Sequence, residues 1–142
     1  MKSEDRIQHE IVMWFSQEHP QFNGALFEIY NNPVNQKHAL HRRAMGMVKG
    51  ASDLILHVNG LMCCIEIKAP ESTHKRDHIK YQLDWGKGIV SRGGYFFMSQ
   101  DIELIKLFIN SAIIKNTEAL ESMQTACIIG VEQKMINKTV KF

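Results

Sequence analysis

The chain contains no uninterrupted apolar run approaching the ~18 residues of a membrane-spanning helix. No apolar signal-peptide core follows the charged start Lys2-Ser3-Glu4-Asp5-Arg6, so an intracellular, cytoplasmic protein with no membrane partner is expected. Proline is scarce, three in 142 residues, and 44% of residues are hydrophobic; collagen-like and disordered chains are excluded, and one packed domain over residues 1–142 is expected. Cysteine is equally scarce. Cys63 and Cys64 are adjacent and Cys127 is distant, which fits neither a disulfide framework nor a metal knuckle, so reduced thiols acting as small hydrophobes are expected. Charge of one sign is not in large excess: 17 Lys and Arg against 15 Asp and Glu leave +2, so only local clustering can point to a charged partner.

What the sequence does have is periodicity. Ile7, Ile11, Trp14 and Phe15 predict a helix over 3–18, with Pro20 beyond its end. A strand is predicted over 25–30, closed by Asn31-Asn32-Pro33, then a short helix over 38–45 broken by Gly46 and Gly50. Two runs of branched apolar residues, 52–58 and 61–68, flank Asn59-Gly60, a strong hairpin signal. A loop over 70–73 precedes a predicted helix over 75–90. A strand over 95–98 and a helix over 101–114 follow, the latter striped by Ile102, Ile105, Leu107, Phe108, Ile109 and Ala112. The remainder predicts a short helix over 118–123 and strands near 126–131 and 138–142. The alternation predicts an α/β fold with a mixed sheet covered by helices.

A two-residue type I′ loop at Asn59-Gly60 sets Val58 opposite Leu61, and counting outward sets Asp53 opposite Glu66. Directly opposed residues have Cβ atoms about 5 Å apart, where like charges destabilise a sheet. Either one carboxyl keeps a proton or a cation lies between the two. Ile65 and Ile67 on one face, with Met62 and Cys64 on the other, mark a buried strand and favour the cation. Period-two alternation adds Lys68 to the face of Glu66. Hard oxygen donors suit Mg²⁺ or Mn²⁺, held by one or two carboxylates with waters and phosphate oxygens. The same residues also fit a hairpin with exposed ends, Asp53 capping and Glu66 paired with Lys68.

Two polar residues fall in apolar stripes. Glu10 shares a helical face with Ile7, Ile11 and Trp14, and Gln82 lies in the stripe Ile79, Leu83, Gly86, Val90. An inward-facing polar group needs a partner, and one metal-centred site would satisfy both. Glu10 also fits a stripe-edge residue reaching solvent, and Gln82 a core amide bonded to backbone.

Together, Gly50-Ala51-Ser52-Asp53, Cys64-Ile65-Glu66-Ile67-Lys68 and Gln82 resemble the PD-(D/E)XK nuclease superfamily and, more narrowly, its VRR-NUC family of virus-type replication-repair nucleases. That pattern has an acid on the first helix, a Gly-rich approach to a strand-initial Asp, a Glu-x-Lys on the next strand and a Gln on the following helix. Ser52 stands where many relatives have Pro. The resemblance covers residues 4–110 or so. It implies a restriction-endonuclease-like α/β fold, a central mixed β-sheet flanked by helices, with a C-terminal extension from about residue 116. The implied activity is that of a Mg²⁺- or Mn²⁺-dependent endodeoxyribonuclease. Its implied substrate is branched, flap or four-way junction DNA in replication, recombination or repair. A homodimer in a bacterial or viral-host cell is implied as well. Carried onto this chain, Asp53, Glu66, Lys68, Gln82 and Glu10 would be catalytic. Asp53, Glu66 and the Ile67 carbonyl would hold the metal, with Glu10 serving a second ion or its water.

For DNA contact, the segment Lys37-His38-Ala39-Leu40-His41-Arg42-Arg43, with Lys49 after it, supplies a local basic patch, and Lys75 and Arg76 form a second. Such a charge run also fits a plain solvated helix face. His74 and His78 stand at i, i+4, but no third ligand appears at zinc-site spacing, so surface histidines are expected. Other readings of the same site are a non-catalytic DNA-binding or assembly module and a nicking enzyme or exonuclease within a larger complex.

Overall fold

Asn59 and Gly60 take positive φ, 54° and 72°, as a type I′ turn requires. They fix the sheet register in the computed structural model, which describes residues 3–142. β2 (Leu54–Val58) pairs antiparallel with β3 (Leu61–Ile67), Val58 opposite Leu61 and Leu54 opposite Ile65, as expected. The Asn59 amide donates to the Ala112 and Ile113 carbonyls at 3.1 and 2.6 Å, so the turn also satisfies the C-terminal end of α4 (Ile102–Ile113). β1 (Leu26–Glu28) lies antiparallel outside β2, and β5 (Tyr95–Ser99) runs parallel beside β3. The strand order β1-β2-β3-β5 makes a mixed sheet.

Alternation along the strands splits the core in two. Leu54, Leu56, Cys63, Ile65, Ile67 and Phe97 pack with α1 (Ser3–Glu18) and α4 on one face. Ile55, Cys64, Phe96 and Met98 pack on the other with α3 (Arg76–Ser91) and α5 (Thr117–Lys134). A short helix α2 (Gln36–Ala44) leads from β1 toward β2 and is capped by Asn35, whose side chain accepts the His38 N–H. No helix among the described residues is long and apolar enough to cross a membrane.

The C-terminal third departs from expectation. The predicted strand over 126–131 is the second half of α5, and the helix expected over 118–123 is its first half. A short run such as Ala126-Cys127-Ile128-Ile129 satisfies either period, and here the exposed edge of β5 decides. Phe96 N–H donates to Gln124 Oε1 at 2.9 Å and Met98 N–H to Cys127 Sγ at 3.1 Å, so α5 covers that edge with side chains spaced for a helix. Thr73–Lys75, expected as loop and helix start, is a strand β4, and it pairs antiparallel with β6 (Thr139–Lys141). In α4 the stripe excludes Leu107, which is 52% exposed, because Ile105, Phe108, Ile109 and Ala112 already fill the contact.

Candidate active site

The alternation that buries Cys64 toward α3 turns Glu66 and Lys68 the same way as β3 ends. Both are buried, Glu66 at 3% and Lys68 at 1% exposure, with Lys68 Nζ 3.5 Å from Glu66 Oε1. Nearly two turns into α3, Gln82 donates its amide to the same Oε1 at 2.7 Å and meets His78 Nε2 at 3.3 Å. Asp53 sits just ahead of β2. Its Oδ2 accepts the Ile67 N–H at 2.7 Å, which extends the hairpin pairing past its last strand residues.

Burial governs the electrostatics. Desolvation raises the Asp53 carboxyl above its ordinary value, against the opposing pull of the Ile67 N–H and Lys68. Glu66 is raised further, first by burial and then by the Asp53 charge, with Lys68 acting the other way. Glu66 Oε2 is buried and has no hydrogen-bond partner among the described residues, and the same holds for Gln82 Oε1 and Ser52 Oγ. An unpartnered carboxylate oxygen beside a second carboxyl is a deficit that a hard divalent cation fills, so the donor set fits Mg²⁺ or Mn²⁺. Among the described residues no three His, Cys, Asp or Glu side chains converge enough to hold a metal by themselves. Two carboxylates completed by water and substrate oxygens meet the Mg²⁺ habit.

A cleft of about 310 Å³ opens over this group, and Glu4, Arg43, Lys49, His78 and Tyr81 line it beside Asp53, Glu66, Lys68 and Gln82. Its wall is tightly built at Gly50. With φ at +88°, a Cβ there would stand 2.5 Å from the Tyr81 carbonyl oxygen, so the loop carrying Asp53 lies directly on the α3 backbone. Lys49 reaches over the Tyr81 ring, 3.9 Å from its centroid.

The structure brings Asp53, Glu66, Lys68 and Gln82 together, and it sets Glu10 aside. Glu10 is exposed and lines no part of the cleft, because the buried row of α1 is Ile7, Ile11 and Phe15. Extending that row back one turn reaches Glu4, which lines the cleft and pairs with His74 at 3.4 Å. Glu4 is three before Ile7 and seven before Ile11, so helical spacing admits it to the same broad stripe as Glu10, and only the buried row separates the two. Ile67 presents its N–H to Asp53 and lines an adjoining cavity with Asp53 and Glu4. Of the basic residues, Arg43 and Lys49 reach the cleft, while Lys37, His41 and Arg42 lie exposed on α2. Lys75 and Arg76 are exposed where α3 begins, outside the cleft lining.

His78 is exposed and His74 half-buried, in keeping with the surface histidines expected, but the two are not separate from each other or from the cleft. Their rings stack at 6.0 Å, and His78 joins the cleft through Gln82. Both are pushed below their ordinary value, by burial first and by the Lys68 charge second. The spacing of His78 to Gln82, four residues on α3, was the signal that ties the two to one helix face, while His74 comes from β4. The thiols are inert by environment: burial pushes Cys63 and Cys64 up to about 12 and Cys127 to about 11.

The sheet order, its helical layers and the acid-bearing hairpin define a restriction-endonuclease-like α/β fold. A solved structure described as a VRR_NUC domain protein has that architecture and is similar to this chain: TM-score 0.60, 19% identity, covering 80% of this chain and 89% of the other. No family model and no curated protein matches the sequence.

Proposed function

We propose that the protein is a Mg²⁺- or Mn²⁺-dependent DNA endonuclease acting on branched, flap or four-way junction DNA in replication, recombination or repair. The observation that carries the reading is the half-buried Asp53 beside the buried Glu66, with Lys68 next to it and one Glu66 oxygen without a partner among the described residues. The similarity to a VRR_NUC domain protein agrees with it at the level of fold. Two acids forced together in a core are hard to account for by stability alone.

Asp53 and Glu66 would hold the cation, with Glu4 taking the part first assigned to Glu10. When bound, the ion supplies Lewis-acid polarisation of the scissile phosphate and lowers the pKa of a water. The chain's own residues do the rest. Lys68 places a fixed ammonium where charge grows on the phosphorane and holds the attacking water in line. Gln82 fixes the orientation of Glu66 through its amide donation. Arg43 and Lys49 at the cleft mouth grip flanking phosphates, and Lys37, His41 and Arg42 extend that contact along α2. Lys75 and Arg76 offer a second contact on another face. One cleft cuts one strand, so symmetric cleavage of a junction requires a homodimer.

The test incubates labelled single-stranded, duplex, flap and four-way DNA with the native chain in Mg²⁺ or Mn²⁺, beside an EDTA control and the D53N and K68M variants. Expected is ion-dependent cleavage of branched DNA, reduced about a hundredfold or more in both variants. Cleavage in EDTA, or undiminished cleavage by D53N, overturns the mechanism. Binding without cleavage by the native chain favours the non-catalytic module.

A further inference from the structure

Lys68 is among the largest fully buried side chains of the protein, and an ammonium in that position needs walls that hold it. Glu66 supplies one. Another is the ring of Phe142, 7% exposed, with its centroid 5.9 Å from Lys68 Nζ. Two further side chains flank the ring. Lys134 of α5 lies 4.6 Å from its centroid, and the His74 ring meets it edge-on at 5.9 Å and 79°. Its backbone is tied at both ends, since Phe142 N–H donates to the Ser72 carbonyl at 2.9 Å and its own carbonyl accepts the Glu71 N–H at 2.7 Å.

The strand leading to Phe142 reaches the site a second way. Val140, fully buried, pairs opposite His74 in the β4–β6 ribbon. α3, which carries Gln82 and His78, has no side-chain cap at its N-terminus; the Lys138 carbonyl takes the Arg76 N–H there at 2.9 Å instead. The segment 138–142 is thus bonded to the start of α3 and to the loop after Lys68, and its last side chain faces the ammonium.

We infer that Phe142 is a positioning residue for Lys68: its aromatic face confines the ammonium beside Glu66, where the hydrolysis needs it. The inference rests on the nuclease reading of Lys68. An aromatic face attracts a desolvated cation, and loss of that attraction frees four rotatable bonds in the lysine stem. Lys68 Nζ lies against Glu66 Oε1, while the Glu66 oxygen left without a partner among the described residues is Oε2, so the ring acts on the ammonium and not on the free donor.

The test compares F142L and F142M, which keep most of the volume without the ring, with F142Y, which keeps the ring. Cleavage in Mn²⁺ is followed as kcat, KM and half-saturating Mn²⁺. In parallel, acylation of Lys68 by a water-soluble amine reagent is followed by mass spectrometry on the native fold. Expected is a kcat about tenfold lower in F142L and F142M with KM and Mn²⁺ requirement within about twofold, near-native values in F142Y, and Lys68 labelling several-fold faster only where the ring is gone. Equal kcat in F142L and F142Y overturns the inference, as does unchanged Lys68 labelling in both F142L and F142M. Should the native chain cut none of the DNA substrates, the nuclease reading fails alone, and the labelling still decides whether Phe142 confines Lys68.

Discussion

Gln82 Nε2 stands 2.7 Å from Glu66 Oε1 and 3.3 Å from His78 Nε2, so one amide group ties the acid of β3 to the helix that crosses it. Its two N–H bonds are used on these partners, and its own oxygen is left unpaired in the interior. The contact opposes burial. A donor to a carboxylate favours the charged form, while desolvation and Asp53 favour the proton.

That balance makes the ion-free protein sensitive to alkali. Asp53 and Glu66 are raised above their ordinary values of 3.8 and 4.5, so the stability linked to them is complete below those values and lost as pH rises through the folded ones. His74 and His78, lowered from 6.5, act in the opposite sense, losing stability as pH falls below that value. The informative quantity is therefore the difference between native chain and E66Q. In EDTA, melting temperature should fall more steeply for the native chain than for E66Q between about pH 5 and 8, and Mn²⁺ at pH 8 should raise only the native value appreciably.

Glu4 and Glu10 separate cleanly by experiment. E4Q should reduce Mn²⁺-supported cleavage about tenfold or more, because it changes the cleft lining, whereas E10Q should cleave at the native rate. Equal losses in the two would place the α1 acid wrongly. Circular dichroism should show both variants fully folded.

Gly50 and Gly46 both have positive φ, at 88° and 104°, yet only Gly50 faces a backbone atom. G46A should cost about 1 kcal/mol from the dihedral alone. G50A adds the clash with the Tyr81 carbonyl and should cost about 2 to 4 kcal/mol by urea unfolding, with cleavage falling as Asp53 is pushed from α3.

Removing Lys49 should weaken binding to all DNA forms alike and lower the slope of log affinity against log salt by about one. K37A, on exposed α2, should have a smaller effect on cleavage than on binding, since it lies outside the cleft. Fluorescence anisotropy over a range of KCl concentrations measures both.

The hairpin and its acids were legible because they depend on local rules: a two-residue turn fixes register, and register fixes which side chains meet. Gln82 was legible as a polar residue in a stripe. The α1 acid was not, since Glu4 and Glu10 both stand three residues from Ile7, on either side of it, and only the packing of Ile7, Ile11 and Phe15 selects Glu4. The end of the chain was legible in part: the strand expected over 138–142 is β6 (Thr139–Lys141), whereas Ala126 to Val131 is helical because β5 has an open edge to be covered, a long-range fact. Phe142 carried no local signal at all.

The hairpin also imposes a rule of parity. Substitutions can accumulate along β2 and β3 as long as size and polarity suit each face, but a single residue gained or lost between Asp53 and Glu66 would turn one acid toward α1 and leave the other toward α3. Length, more than identity, is what this stretch must preserve, and lineages of this protein should differ there by replacement and not by indels.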